Sequence, residues 1–182
     1  MTGHTPAGPL MAEHRVIERV ITALEAQLEH IASYGTADPR VIDRITDFIR
    51  TYADRCHHGK EEDILFRRLA EKDLGDDLVA EMRELIEEHV SARAMTRALV
   101  DANDRYATGD AEALGDIERA MHELAEFYPA HIAKEDRHFF KPSIAHLSEE
   151  ERECMLEEFA EFDRKLIHEK YRLVAEELAR HE

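Results

Sequence analysis

Four stretches of this chain repeat apolar residues every three or four positions. Each stripe is broken by a histidine, and in two of them a glutamate follows one helical turn later. In the first, Leu10, Ile17, Ile21, Leu24, Leu28 and Ile31 share a helix face, and His14 fills the missing slot. In the second, Ile42, Ile45, Ile49 and Ala53 run on to His57, Glu61 and Ile64. The third reads Leu78, Met82, Leu85, His89, Ala92, Thr96 and Leu99. The fourth passes from Leu114, Ile117, Met121, Leu124 and Tyr128 to His131, Glu135 and either His138 or Phe139. No segment alternates as a strand does. The spacing predicts an all-α protein: four helices of roughly 40 Å each, joined by short loops into an antiparallel up-down four-helix bundle.

Punctuation residues set the boundaries. Residues 1–9, with Gly3, Pro6, Gly8 and Pro9, read as a flexible lead. Residues 10–142 make the bundle. Gly35 stops the first helix, and Asp38-Pro39 opens the second as N-cap and first residue. Gly109 ends the third, Asp110 opens the fourth, Pro129 predicts a kink, and Lys141-Pro142 closes it. Over residues 143–182 a fifth helix is expected to pack on the bundle. Its start is marked by Ser148 with Glu151 three residues on, and its apolar faces by Met155, Phe159, Phe162 and Leu166 beside Ile167, Tyr171, Val174 and Leu178.

Charge narrows the function classes. With 24 basic against 41 acidic residues, the net charge of −17 repels phosphate backbones and anionic lipid, which argues against nucleic-acid and membrane partners. No uncharged apolar run reaches the roughly 18 residues of a membrane span, and the first thirty residues lack a signal-peptide pattern, so a cytoplasmic protein is expected. Cys56 and Cys154 form no CxxC pair, which excludes thiolate zinc sites and dithiol redox motifs.

The chemistry lies in the twelve histidines. The segments HHGKEEDILF from His57 and HIAKEDRHFF from His131 align without a gap, and Glu13-His14 and Glu88-His89 correspond more loosely. A His and a Glu four residues apart lie one above the other on a helix, so both reach one centre. Adding His14 and His89 gives four imidazoles and two carboxylates facing one core. A lone buried His is ordinary, but six such groups buried without compensation would cost several kcal/mol each. Cations resolve this. A carboxylate can bridge two ions, and a nitrogen and oxygen set without thiolate suits iron first, with manganese or zinc possible. The candidate ligands are His14, His57, Glu61, His89, His131 and Glu135.

The remaining histidines carry less. His58 has the polar helical neighbours Asp47, Thr51, Asp54 and Glu62, so it is expected to face solvent or to support a ligand. His138 lies one turn beyond Glu135, and His168 sits between a charged and an apolar face. His4, His30, His122, His146 and His181 lack metal spacing. Tyr128 and Tyr171 fall on apolar faces and read as core; Cys56 reads as a small buried apolar residue, and Lys60 and Lys134 as partners of nearby carboxylates.

With these motifs placed, the chain resembles the hemerythrin-like, or HHE cation-binding, domains over about residues 10–142. They are marked by His on the first helix, HxxxE on the second, His on the third and HxxxE on the fourth. The resemblance implies a non-haem di-iron centre, with the two glutamates bridging the irons and an oxo or hydroxo bridge possible. Oxygen-carrying members have an HxxxH pair on the third helix, whereas the positions four away from His89 are Leu85 and Arg93. A fifth histidine would then be His168 first, followed by His58 or His138. Four His and two Glu are similar to the repair-of-iron-centres proteins. The expected function is to bind or sense dioxygen or a related small oxidant such as hydrogen peroxide or nitric oxide. The alternatives are turnover of peroxide or nitric oxide, an iron donor or store, and a structural metal site.

Overall fold

The computed structural model describes residues 5–179, and side chains within 5–172. Among them are five helical rods and no strand. The first, α1, spans Ala7–Tyr34. The second, α2, begins at Pro39–Phe48, takes wider π-helical turns over Ile49–His58 and Glu61–Phe66, and ends with Arg67–Leu69. The third, α3, spans Asp76–Ala107. The fourth, α4, runs as Ala113–Lys134, turns π-helical over Glu135–Phe139, and finishes at Phe140–Ile144. The last, α5, is Glu149–Ala179.

The first four rods form a closed ring of neighbours: α1 packs on α2 and α4, and α3 on α2 and α4. Cross-links fix their antiparallel sense. Asn103 near the end of α3 donates to the Pro39 carbonyl at the start of α2 (3.0 Å), and His14 early in α1 meets Asp136 late in α4. This is a hemerythrin-like bundle with one helix added.

Local chemistry sets the ends. Gly35 closes α1 in the left-handed conformation (φ 66°), its N–H donating to the Ile31 carbonyl at 2.8 Å. Asp38 caps α2 by accepting from the Arg40 N–H at 3.0 Å, with Pro39 in first place. The Ser148 N–H donates to Glu151 and the Glu151 N–H to the Ser148 hydroxyl, a reciprocal cap on α5.

Two boundaries differ from expectation. The first helix starts at Ala7, so Gly8 and Pro9 lie in its first turn, where a proline forfeits no helical hydrogen bond. Met1–His4 of the expected lead, and His181, lie outside the described residues. Lys141-Pro142 does not end α4, which continues to Ile144: Pro142 lies in the last turn of the rod, where its fixed φ suits a helix and the chain stops soon after it.

The core has two apolar clusters. One joins Ile17, Ile21, Leu24, Leu99, Met121 and Leu124 toward one end of the bundle; the other joins Leu10, Leu65, Phe66, Leu85, Phe139 and Phe140 toward the opposite end. Met155 and Phe159 of α5 belong to the second cluster. Helix α5 lies along α2 through the ion pairs Arg68–Glu158, Lys60–Asp163 and Lys170–Asp47. Tyr171, expected in the core, is 67% exposed, because past Leu166 the helix meets α2 through the charged pairs Arg55–Glu169 and Lys170–Asp47. Val174 and Leu178 fall outside the described side chains.

Gly59 sets the spacing between α2 and α5. A Cβ there would stand 2.8 Å from the Phe162 ring tip. Gly59→Ala is expected to push Phe162 outward: hydrogen-exchange protection of residues 155–163 falls while that of α1, α3 and α4 is retained. Unchanged protection in α5 would count against this contact as its anchor.

Candidate metal centre

Between the two apolar clusters lies a layer of polar side chains that have no access to water. His14, Glu61, His89 and Glu135 are 0% exposed, His57 and His58 1%, and His131 2%. The layer divides into two groups. Donor atoms of His14, His57, Glu61 and Glu135 lie within 4.8 Å of one another, and so do those of His58, His89 and His131. The six residues expected from the sequence are thus brought together.

The glutamates stand between the groups. Glu61 directs Oε1 at His57 Nε2 (3.5 Å) and Oε2 at His89 Nε2 (3.4 Å). Glu135 directs Oε2 at His14 Nε2 (3.1 Å) and His131 Nε2 (3.4 Å), with Oε1 3.8 Å from His89. Each carboxylate therefore faces nitrogen from both groups.

Four further carboxylates decide which ring nitrogen points inward. Asp136 takes His14 Nδ1 at 2.7 Å, Glu13 takes His57 Nδ1 at 2.9 Å, Glu62 takes His89 Nδ1 at 2.8 Å, and Glu88 takes His131 Nδ1 at 2.7 Å. An ionised carboxylate only accepts, so each Nδ1 is the donor and each neutral ring turns a bare Nε2 lone pair to the centre. Cations hold these carboxylates in turn: Lys60 pairs with Glu13 and Lys134 with Glu88, while Arg15 donates to Asp136 at 2.5 Å and Arg93 to Glu62 at 2.7 Å. The aligned segments supply matching parts, and pseudo-twofold symmetry follows from them.

This layout requires positive charge. His14 and His57 bring their Nε2 atoms to 2.8 Å, a contact two lone pairs cannot hold without a proton or a metal ion between or beside them. The Nε2 of His89 and of His131, both oxygens of Glu61 and both of Glu135 have no hydrogen-bond partner. Buried and unpaired, such groups cost about 1–3 kcal/mol each, more when charged. The set of nitrogen and oxygen donors fits a pair of cations.

Titration follows the same geometry. Burial opposes charge on His14, but the carboxylates of Glu135 and Asp136 outweigh it and raise its pKa. For His89, too, burial is outweighed, by Glu135 and Glu62. Burial holds His57 down at about 4 despite Glu13. Glu61 is raised, by burial and by the charge of Glu135; Glu135 is lowered despite burial, because His131, His14 and His89 surround it.

A profile of the hemerythrin HHE cation binding domain matches residues 5–143. The chain belongs to this family. Comparison with curated proteins and with solved structures gave no match. Membership makes this a metal-binding protein, and hemerythrin-like domains typically carry iron and bind small ligands such as dioxygen.

Within the hemerythrin-like bundle the extra histidines fall differently from expectation. His168, placed first as a fifth donor, is exposed on α5, and His138 is exposed, leaving the inward slot to Phe139. His58, expected to face solvent or to support a ligand, is buried and stacks on His89 with ring centroids 3.9 Å apart. The cause is the wide turns of Ile49–His58, which advance each residue less than the 100° of an α-helix and carry His57 and His58 inward together. Neither His58 nitrogen has a hydrogen-bond partner, and Asp54 Oδ1 stands 3.6 Å from its Nδ1. Burial and the neighbouring rings of His89, His57 and His131 push its pKa well down, which keeps it neutral and able to donate a lone pair. Its counterpart in the repeat is Ile132, so symmetry breaks at this point.

Cys56 is buried and its Sγ donates to Asp163 at 3.2 Å. Burial and the Asp163 charge push the thiol up to about 12, so it stays protonated. It also lies in a cluster with Glu13 and Asp163, but the Lys60 ammonium already supplies the cation there.

Proposed function

We propose that this bundle holds two iron ions and binds or senses dioxygen or a related small oxidant. In this reading His14 and His57 serve one ion, His58, His89 and His131 the other, and Glu61 and Glu135 are shared. The observation that carries it is the commitment of four Nδ1 atoms to outer carboxylates, which turns four Nε2 atoms and four carboxylate oxygens toward one another; those of His14 and His57 have only each other as hydrogen-bond partners, and the other two nitrogens and all four oxygens have none. Two ferrous ions would supply the two electrons that a bound small oxidant takes up.

The chain's own residues prepare that chemistry. The outer carboxylates fix the orientation and basicity of the imidazoles. Phe140 stacks on His14 at 5.7 Å and Phe66 on His89 at 6.0 Å, closing one side of the layer to water. Three nitrogens on one side and two on the other make the sides unequal, and the side of His14 and His57 has more room for an outside ligand. Complete burial of the six residues favours retained metal over a readily released store. No helix among the described residues is long and apolar enough to cross a membrane, and with two free thiols this fits a cytoplasmic setting.

Metal analysis and an optical spectrum test the reading together. Two irons per chain are expected, with a visible ligand-to-iron charge-transfer band when anaerobically reduced protein meets oxygen, reversing under argon. Oxygen evolution from hydrogen peroxide would instead favour turnover, and full zinc occupancy a structural site. His58→Phe keeps the stacked ring but removes the donor, so metal content should fall from two ions toward one. Two ions retained in that variant would remove His58 from the set.

A further inference from the structure

A cavity of about 330 Å³ opens between α2 and α3 and reaches inward to His58 and Tyr128. Its mouth carries Arg50 and Arg97, both exposed. Neither has a hydrogen bond or ion pair among the described residues. A third guanidinium, Arg93, is already held by Asp54 at 2.6 Å and Glu62 at 2.7 Å. Three arginines against one aspartate leave the lining cationic in a chain of net charge −17. A cleft of one sign with low-dielectric walls concentrates the opposite ion, here an anion.

Deeper in, the wall is apolar, from Ile49, Ala92 and Val100. At the floor, the Tyr128 hydroxyl is buried and has no hydrogen-bond partner. Tyr128 lines this cavity together with Asp54 and Arg93. A buried phenol without an acceptor is destabilising, and a ligand oxygen would relieve it.

We propose that this cavity is a binding site for a small organic monocarboxylate. Arg50 and Arg97 take the carboxylate at the mouth, Ile49, Ala92 and Val100 cover a compact apolar body, and the Tyr128 hydroxyl donates to an oxygen at the far end. Free inorganic anions offer the charge but nothing for the wall or the floor. Binding itself depends on none of the metal chemistry. Because His58 lines the same cavity, an occupant would sit beside the proposed centre and control what reaches it; this second part rests on the function proposed above.

The test titrates 4-hydroxybenzoate, benzoate, benzyl alcohol and inorganic phosphate into metal-free and iron-loaded protein by calorimetry at low salt. Expected are one 4-hydroxybenzoate per chain, benzyl alcohol and phosphate weaker by about tenfold or more, and a similar loss in Arg50→Ala/Arg97→Ala. Tyr128→Phe should erase the preference for 4-hydroxybenzoate over benzoate while benzoate affinity stays unchanged. In iron-loaded protein the occupant should shift the visible spectrum. The site is overturned if 4-hydroxybenzoate does not bind, if phosphate binds as well, or if the double arginine variant binds it undiminished. Those failures would leave two irons per chain untouched, whereas loss of the irons with intact binding to metal-free protein would sink only the reading of the centre.

Discussion

In Glu135→Ala, chelation no longer changes the melting temperature, whereas it lowers that of the unaltered protein by about 10 °C. A ligand at a thousand times its Kd stabilises the folded state by about 4 kcal/mol, and each kcal/mol moves a chain of this size by roughly 2–4 °C. Glu135 is the residue to remove because its carboxylate faces three of the imidazoles, His14, His131 and His89. Its loss takes a shared oxygen donor from both groups, and metal content should drop below one ion per chain. The metal-free variant need not be less stable than the metal-free parent, since the substitution also deletes a buried carboxylate that the empty layer must otherwise accommodate. The decisive quantity is therefore the shift between metal-loaded and chelated samples, measured by calorimetry in both proteins. A variant that keeps two ions and the full shift would show that Glu135 is not shared between them.

Helical period alone located the six residues that converge, because a side chain that interrupts an apolar stripe shares the fate of that stripe. His14 is buried because Leu10 and Ile17 are, and His89 because Leu85 and Ala92 are. The bundle was legible for the same reason, and so were the stops at Gly35 and Asp38-Pro39, whose chemistry is local. The burial of His58 was not legible because that period assumes 100° per residue, and nothing in the composition of Ile49–His58 announces wider turns. Tyr171 was misplaced for a different reason: apolar spacing shows which face of α5 could be covered, not whether a neighbour exists to cover it. The outer carboxylates were written in the repeat, since Glu13 and Glu88 precede a proposed ligand and Glu62 and Asp136 follow one. Their role required knowing that antiparallel neighbours bring each beside an imidazole of another helix. The repeat also explains why one set of contacts suffices for both halves, and why the exception, His58 against Ile132, gives the two sides unequal donor sets.

Lys60→Met should cost about 3 kcal/mol, the lower end of what removing one partner from a buried ion pair entails, because Asp163 retains partial access to water. The Lys60 side chain is only 1% exposed, and its ammonium joins Glu13 of α1 to Asp163 of α5, the latter at 2.8 Å. Methionine fills the same volume without the charge, so the loss reports electrostatics and not a cavity. Burial works against the charged form, but Asp163 and Glu13 outweigh it and raise the amine from 10.5 to about 12. A raised folded-state value means that the contribution is complete below the unfolded pKa and fades only as pH climbs through 10.5 toward 12. The difference between variant and parent, measured by urea unfolding, should therefore stay constant from about pH 6 to 9 and shrink above that range. Two further consequences follow from position. Without the ammonium, Asp163 keeps only the weak Cys56 thiol donor on α2, so amide protection in residues 155–163 falls first. Glu13 then holds His57 Nδ1 less firmly, and metal affinity should decline by about 10–100-fold, as for other losses in the support of a ligating imidazole. Full metal affinity together with a stability loss under about 1 kcal/mol would mean that this lysine neither clamps the added helix nor supports the centre.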